Sequence, residues 1–303
     1  MSVLLNLSKR RVHFMQNPFI AYINGEYVSQ NQAKISILDL GLTRGYGVFD
    51  FFRTYQGIPF CFEDHFIRLK NSAKTLNLNF PITQEKLKTI IFSLIKKNKQ
   101  KEAAIKVILT GGETFHSFEL NENPTFIVTT LPLPVYPKEY FTDGIKIISK
   151  EHHPFLAECK TLNYIPALIA MQEAGLLDAK EVLFTYNNRI LECGTSNFFA
   201  FKDNTLITPS RDIIFGITRK AILKIANGHF NIEERDINKD EINTFDEVFI
   251  SASNKEIWPV RQIDENLIRD GKVGQNTKKM MVLFKIYTEN LLWLEENVGA
   301  INS

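Results

Sequence analysis

Apolar residues recur at two different periods along this chain, and the changes of period mark out its elements. Leu87, Ile90, Ile91, Leu94 and Ile95 follow the i, i+3, i+4, i+7, i+8 spacing of one helical face, and Thr83 stands where an N-cap belongs. Phe66, Leu69, Ala73 and Leu76 predict another helix over 65–76. Strand-like runs surround these helices at 48–55, 104–109 and 125–130. Within 21–28, Asn24-Gly25 supplies the positive φ angles of a hairpin turn. The alternating prolines Pro132, Pro134 and Pro137 then predict an extended connector. Beyond them the pattern predicts strands at 145–149, 181–185, 197–201, 205–207 and 247–251, and one ending at Glu192. Helices are expected at 165–174 and 217–226, and Thr277 is placed to cap a long C-terminal helix. The expected organisation is an extension over 1–17, a small N-terminal domain over 18–131, a linker over 132–138 and a larger C-terminal domain over 139–303. Strands and helices mix without regular βαβ alternation, so the fold class is α+β in two domains.

The 303 residues carry a net charge of +2, which leaves no basic field of the kind nucleic-acid binding requires. No apolar run is long enough to span a bilayer. Val3-Leu4-Leu5 precedes Lys9-Arg10-Arg11, the reverse of a secretory signal, so the expected compartment is the cytoplasm. Cys61, Cys159 and Cys193 show no CxxC pairing, which supports neither a disulfide framework nor a zinc site. His152 and His153 would point to opposite faces of an extended strand, so no metal is expected there. The 24 phenylalanines suggest aromatic packing and apolar pocket walls.

Three segments bear on chemistry. Lys160 lies between the apolar stretches Phe155-Leu156-Ala157 and Ile165-Pro166-Ala167-Leu168, where partial burial would favour the neutral amine that condensation with an aldehyde requires. Glu192 ends a strand ahead of the small-residue turn Cys193-Gly194-Thr195-Ser196. Gly216-Ile217-Thr218-Arg219 opens a helix, whose first amides form an anion site. Arg68 is the candidate cation to complete that site, because its planar fork suits a phosphate. Taken singly, each fits an ordinary surface lysine, strand-end glutamate, helix start or helix arginine. Taken together, they supply what pyridoxal phosphate needs: an amine for the aldehyde, a counter-charge for the ring nitrogen and a cradle for the phosphate. Cys159 and Cys193 are read as small packing residues. Gly45-Tyr46-Gly47 leads into a strand instead of opening a helix, and Thr110-Gly111-Gly112-Glu113 lacks a Walker lysine, so both are read as turns.

The chain resembles the class IV (fold type IV) pyridoxal-phosphate-dependent aminotransferases, which include branched-chain aminotransferase, D-amino acid aminotransferase and aminodeoxychorismate lyase. The resemblance rests on His65-x-x-Arg68-Leu69, Lys160-Thr161-Leu162-Asn163, Glu192-x-Gly194-x-Ser196-Asn197, Thr208-Pro209, Gly216-Ile217-Thr218-Arg219 and Asp246-Glu247-Val248-Phe249 followed by Pro259-Val260. It implies that Lys160 binds the cofactor covalently and carries the proton between substrate Cα and cofactor C4′. It further implies that Glu192 meets the ring nitrogen, and that Arg68, the Ile217 and Thr218 amides and Ser253 hold the phosphate. Tyr164, Asn197 and Gly216 complete the expected cofactor contacts, and Phe49, Arg53, Ser253 and Asn254 the expected substrate contacts. Family members are typically homodimers in which a loop of one subunit closes the other's pocket.

The departures concern substrate. Tyr164 follows Lys160 by four residues where the branched-chain enzymes have five. Phe49 stands where the D-amino acid enzymes have a tyrosine; their Arg-x-His pair is missing, although His116 is near. Tyr46 replaces an aspartate and Asp50 a glutamate, Tyr164 stands in place of the lyase's arginine, and Lys106-Val107-Ile108-Leu109 lacks a Tyr-x-Arg pattern. Arg53 matches the branched-chain subgroup. The first expectation is therefore transfer from a branched-chain L-amino acid to 2-oxoglutarate. The lyase, the D-amino acid enzyme and a cofactor-binding protein without turnover remain alternatives.

Overall fold

The computed structural model describes residues 18–115, 119–120 and 122–301, the stretch from 291 onward by its backbone only. The expected 1–17 extension and His116 lie outside the described residues.

The N-terminal half forms a six-stranded sheet in the order β2-β1-β6-β5-β3-β4. Its strands are β1 (Ile20–Ile23), β2 (Glu26–Ser29), β3 (Gly47–Tyr55), β4 (Ile58–Pro59), β5 (Ala104–Thr110) and β6 (Phe126–Leu131). Asn24 and Gly25, at φ +47° and +103°, make the β1–β2 turn that their residue types require. Helix α1 (Leu40–Arg44) precedes β3, while α2 (Phe62–Thr75) and α3 (Gln84–Lys97) cover one face of the sheet. The Thr83 hydroxyl accepts the Lys86 N–H at 3.3 Å, so the expected cap of α3 is present. All five residues of the expected apolar stripe of α3 are buried. Burying each removes roughly 1.5–3 kcal/mol of apolar exposure.

The C-terminal half builds a ten-stranded sheet in the order β12-β11-β10-β14-β15-β7-β8-β9-β13, with β16 paired to β15. Its strands are β7 (Ile145–Glu151), β8 (Glu181–Tyr186), β9 (Arg189–Cys193), β10 (Asn197–Lys202), β11 (Thr205–Thr208), β12 (Asn231–Glu234), β13 (Ile237–Asn238), β14 (Glu247–Ala252), β15 (Glu256–Ile263) and β16 (Asn266–Leu267). Helices α4 (Glu139–Thr142), α5 (Ile165–Leu176), α6 (Ile217–Ala226) and α7 (Gln275–Ile301) pack around it. The architecture is two-domain α+β.

Most phenylalanines serve the core. Phe198, Phe199, Phe201 and Phe249 are fully buried, and the Phe199 and Phe249 rings stack at 4.8 Å. Helix α7 departs from expectation. It starts at Gln275, ahead of Thr277, and its first amides go to Glu247: Asn276 N–H at 3.0 Å and Thr277 N–H at 2.7 Å. Gly274 permits this approach, since a Cβ there would lie 1.9 Å from the Glu247 carboxyl carbon. The Thr277 hydroxyl is buried and has no partner among the described residues.

Candidate active site

Lys160 sits on a short extended segment tied to the other half of the molecule. The Phe49 amide donates to the Lys160 carbonyl at 3.0 Å, the Leu162 amide to the Gly47 carbonyl at 2.9 Å, and the Lys160 amide to Ser72 Oγ at 3.1 Å. The backbone is thereby fixed from three directions, so the side chain can be aimed. Its ammonium lies 4.7 Å from the Phe49 ring and donates to the Tyr164 hydroxyl at 3.2 Å. Tyr164 therefore reaches the lysine despite the short spacing. Gly47 leaves room for the segment, because a Cβ there would approach Leu162 to 2.8 Å.

Glu192 faces the same cavity, which has a volume of about 250 Å³. Its carboxylate accepts the Ile214 amide at 3.1 Å and faces the Asn197 side-chain amide at 3.4 Å. Burial pushes this carboxyl up to about 8, against the Ile214 amide and the charges of Lys160 and Arg68. A carboxyl raised that far is largely neutral near pH 7, and a cationic partner such as a protonated ring nitrogen would draw it into its ionised form. Asn197 also donates to the Ile214 carbonyl at 2.7 Å, which holds the loop before α6. Gly216 is required beside it, since a Cβ would fall 2.0 Å from Asn197 Oδ1.

Alternation along β3 explains how Arg68 is held. Phe49, Phe51, Arg53 and Tyr55 share one face of the strand, while Asp50 and Phe52 face α2. Asp50 therefore meets Arg68 through two bonds of 2.9 and 2.8 Å, and His65 Nδ1 at 2.8 Å. Burial would raise the Asp50 carboxyl, but Arg68 and His65 together hold it well below the usual carboxylate range. Burial lowers His65, with Asp50 opposing. An ionised Asp50 can only accept, so neutral His65 donates from Nδ1. The fork of Arg68 is thus aimed by a fixed carboxylate at the cavity it lines.

The cradle opposite is the N-terminus of α6. Gly216 is its N-cap and no side chain caps it. Thr218 Oγ1 and Ser251 Oγ, both on cavity-lining residues, are buried without hydrogen-bond partners among the described residues. Uncapped amides, two orphaned hydroxyls and a guanidinium on the lining of one cavity suit a phosphate dianion. Ser253 and Asn254 line the cavity too, and the Asn254 side-chain amide donates to the Tyr136 hydroxyl at 2.5 Å.

One expected contact is not brought to the cavity. Arg53 lies four residues beyond Phe49 on β3, roughly 13 Å further along at ~3.3 Å per residue. Its guanidinium bonds Glu256 at 2.8 Å and lies over the Tyr55 ring. It ties β3 to β15 and is not among the residues lining the cavity. Other participants had no distinguishing sequence signal. Lys106 places its ammonium 5.3 Å from the Phe49 ring, and Lys255 is buried with Glu181 behind the cavity wall. Burial raises both the Cys159 and Cys193 thiols, which disfavours the thiolate a nucleophile requires.

A lysine amine, a buried acid, and a cation beside a helix N-terminus line one cavity and suit a phosphorylated pyridine cofactor. Comparison with known proteins agrees. The family model for amino-transferase class IV matches residues 47–263. A D-alanine aminotransferase of Staphylococcus aureus is 31% identical over 276 residues, covering 89% of this chain and 98% of that protein. A Methanocaldococcus jannaschii protein, provisionally named a branched-chain-amino-acid aminotransferase, is 30% identical over 275 residues, covering 87% and 94%. The solved branched-chain amino acid aminotransferase of Escherichia coli superposes with a TM-score of 0.80 at 26% identity, covering 87% of this chain and 92% of that one. The chain belongs to the class IV aminotransferases, which are pyridoxal-phosphate-dependent enzymes.

Proposed function

We propose that this enzyme transfers the amino group of an apolar L-amino acid, a branched-chain one first, to 2-oxoglutarate. One observation carries this reading. Among the residues lining the cavity the cations are Lys160 and Arg68, both assigned to the cofactor, while Phe49 and Phe51 supply apolar wall. An apolar donor side chain therefore meets apolar wall there, whereas the acceptor's second carboxylate needs a cation from beyond that lining. The similarity to the archaeal and Escherichia coli proteins supports the same choice. Lys106, beside the Phe49 ring, offers a cation for the second carboxylate of the acceptor.

Bound in this cavity, pyridoxal phosphate supplies the aldehyde that takes up the donor nitrogen and the ring that absorbs the electron pair left at Cα. Arg68, the Ile217 and Thr218 amides and Ser253 hold its phosphate. Glu192 would hold a proton on the ring nitrogen, with Asn197 orienting the carboxylate. With the cofactor bound, Lys160 Nζ would take the proton from substrate Cα and pass it to cofactor C4′, two bonds away. The Tyr164 hydroxyl steadies that nitrogen, and the Phe49 ring excludes water from it.

The assembly we infer is a homodimer. Helix α5 buries only small residues (Ala167, Ala170 and Ala174) against its own sheet, yet exposes Ile165, Leu168, Ile169 and Leu176. A helix apolar on both sides requires cover on both. The expected cytoplasmic location belongs with this reading; among the described residues no helix is long and apolar enough to cross a membrane.

Single-turnover spectra against an amino-acid panel test the substrate. L-leucine, L-isoleucine and L-valine should convert the cofactor band. Conversion by D-alanine alone would favour the second reading, D-amino acid transfer, which the similarity to the Staphylococcus aureus enzyme supports. Pyruvate release from aminodeoxychorismate without any acceptor would reassign the enzyme as a lyase. Borohydride reduction should leave a pyridoxyl group on Lys160 and none in Lys160→Ala.

A further inference from the structure

Lys255 lies in the turn between β14 and β15, closed by its own amide donating to the Ala252 carbonyl at 3.1 Å. Its side chain turns inward and is buried, with the ammonium 5.0 Å from the Trp258 ring. An ammonium has three N–H donors, and here three acceptors meet them. They are Glu181 Oε2, Thr195 Oγ1 at 2.6 Å and Ser196 Oγ at 3.0 Å. Glu181, fully buried at the start of β8, accepts in turn from Thr195 Oγ1 at 2.6 Å, Ser196 Oγ at 3.3 Å and the Val182 amide at 3.1 Å. Gly194 lets the turn close onto Glu181, since a Cβ there would meet Val182 at 2.9 Å and Glu181 at 3.2 Å.

With every donor engaged, Lys255 is neither a base nor a receptor for substrate. What it joins is informative. Thr195 and Ser196 follow Glu192 and precede Asn197; Ser253 and Asn254 precede Lys255. Both turns line the cavity. We propose that the Lys255–Glu181 pair bolts the turn 193–196 to the turn 252–255, so that it positions the substrate-facing wall and sets affinity for the amino acid. The affinity part rests on the transaminase reading above; the mechanical part does not.

The test uses the cofactor-loaded protein with Lys255→Met and Glu181→Gln combined. Either single change leaves one buried charge unpaired and risks the fold, whereas the pair removes both. Hydrogen exchange in 193–196 and 253–255 should quicken together by about tenfold or more, with the β10 and β14 amides unchanged. The KM for the amino donor should rise about fivefold or more while kcat stays within about twofold. Unchanged exchange in either turn would overturn the bolt. Quickened exchange with an unaltered KM would overturn its role in affinity. If the unmodified enzyme turned over no amino acid, the transaminase reading and the affinity role would fall together, and the exchange measurement would still decide the bolt.

Discussion

Glu192 illustrates how one buried group links stability to pH. Its carboxyl, 4.5 when solvated, is pushed by burial up to about 8. The folded protein therefore holds a proton across that interval which the unfolded chain has released. Its contribution is fully present below about 4.5 and is lost as pH rises toward and through about 8. Cofactor-free protein should show a Tm that falls from acid to mildly alkaline pH, and Glu192→Gln should flatten this slope in a thermal-melt series. Asp50 has the opposite sign, since its folded carboxyl is depressed. Its contribution is present above the ordinary aspartate range and is lost on acidification. Asp50→Asn should cost about 3–5 kcal/mol by denaturant titration, because Arg68 loses a buried partner. It should also weaken cofactor binding about tenfold or more in an absorbance titration, because the guanidinium loses its aim. Lys160, Glu192 and Arg68 were legible as residue types in a pattern. Asp50 stood in the sequence only as a departure, and its role became visible when strand alternation turned it toward α2.

Elements were legible in proportion to how locally they are stabilised. Thr83 caps α3 from three residues away, and both cap and apolar stripe could be read directly. Thr277 offered the same signature for α7, but the amides there are taken by Glu247 from across the fold. Glu247→Ala should therefore destabilise by roughly 1–3 kcal/mol, since buried amide donors lose their acceptor. Thr277→Val should change stability by less than ~0.5 kcal/mol, as its hydroxyl has no partner to lose. Chemical denaturation of the two variants side by side checks both. The short strands β4, β13 and β16 carried no periodic signal; two residues cannot show a period.

For the whole molecule, the exposed face of α5 bears on assembly. Leu168 is 62% exposed in the isolated chain. Leu168→Glu should shift the protein from dimer to monomer in sedimentation or light scattering, with little change in the melting of the subunit. A wild-type monomer would overturn the assembly we infer. Interdomain contacts were the least legible feature. Arg53 was expected at the substrate, yet with Tyr55 and Glu256 it joins β3 to β15.

By itself the sequence determined most of the longer elements, though not β12 or the eight-residue β15, together with the α+β class and the inventory of chemical groups. Those follow from local periodicity, turn chemistry and residue type. Only the tertiary structure decided which groups meet: Lys160 with Tyr164 and Phe49, Arg68 with Asp50, and Lys255 with Glu181. Those encounters depend on strand register and on contacts between segments far apart in the chain, and neither leaves a periodic trace in the residues that make them.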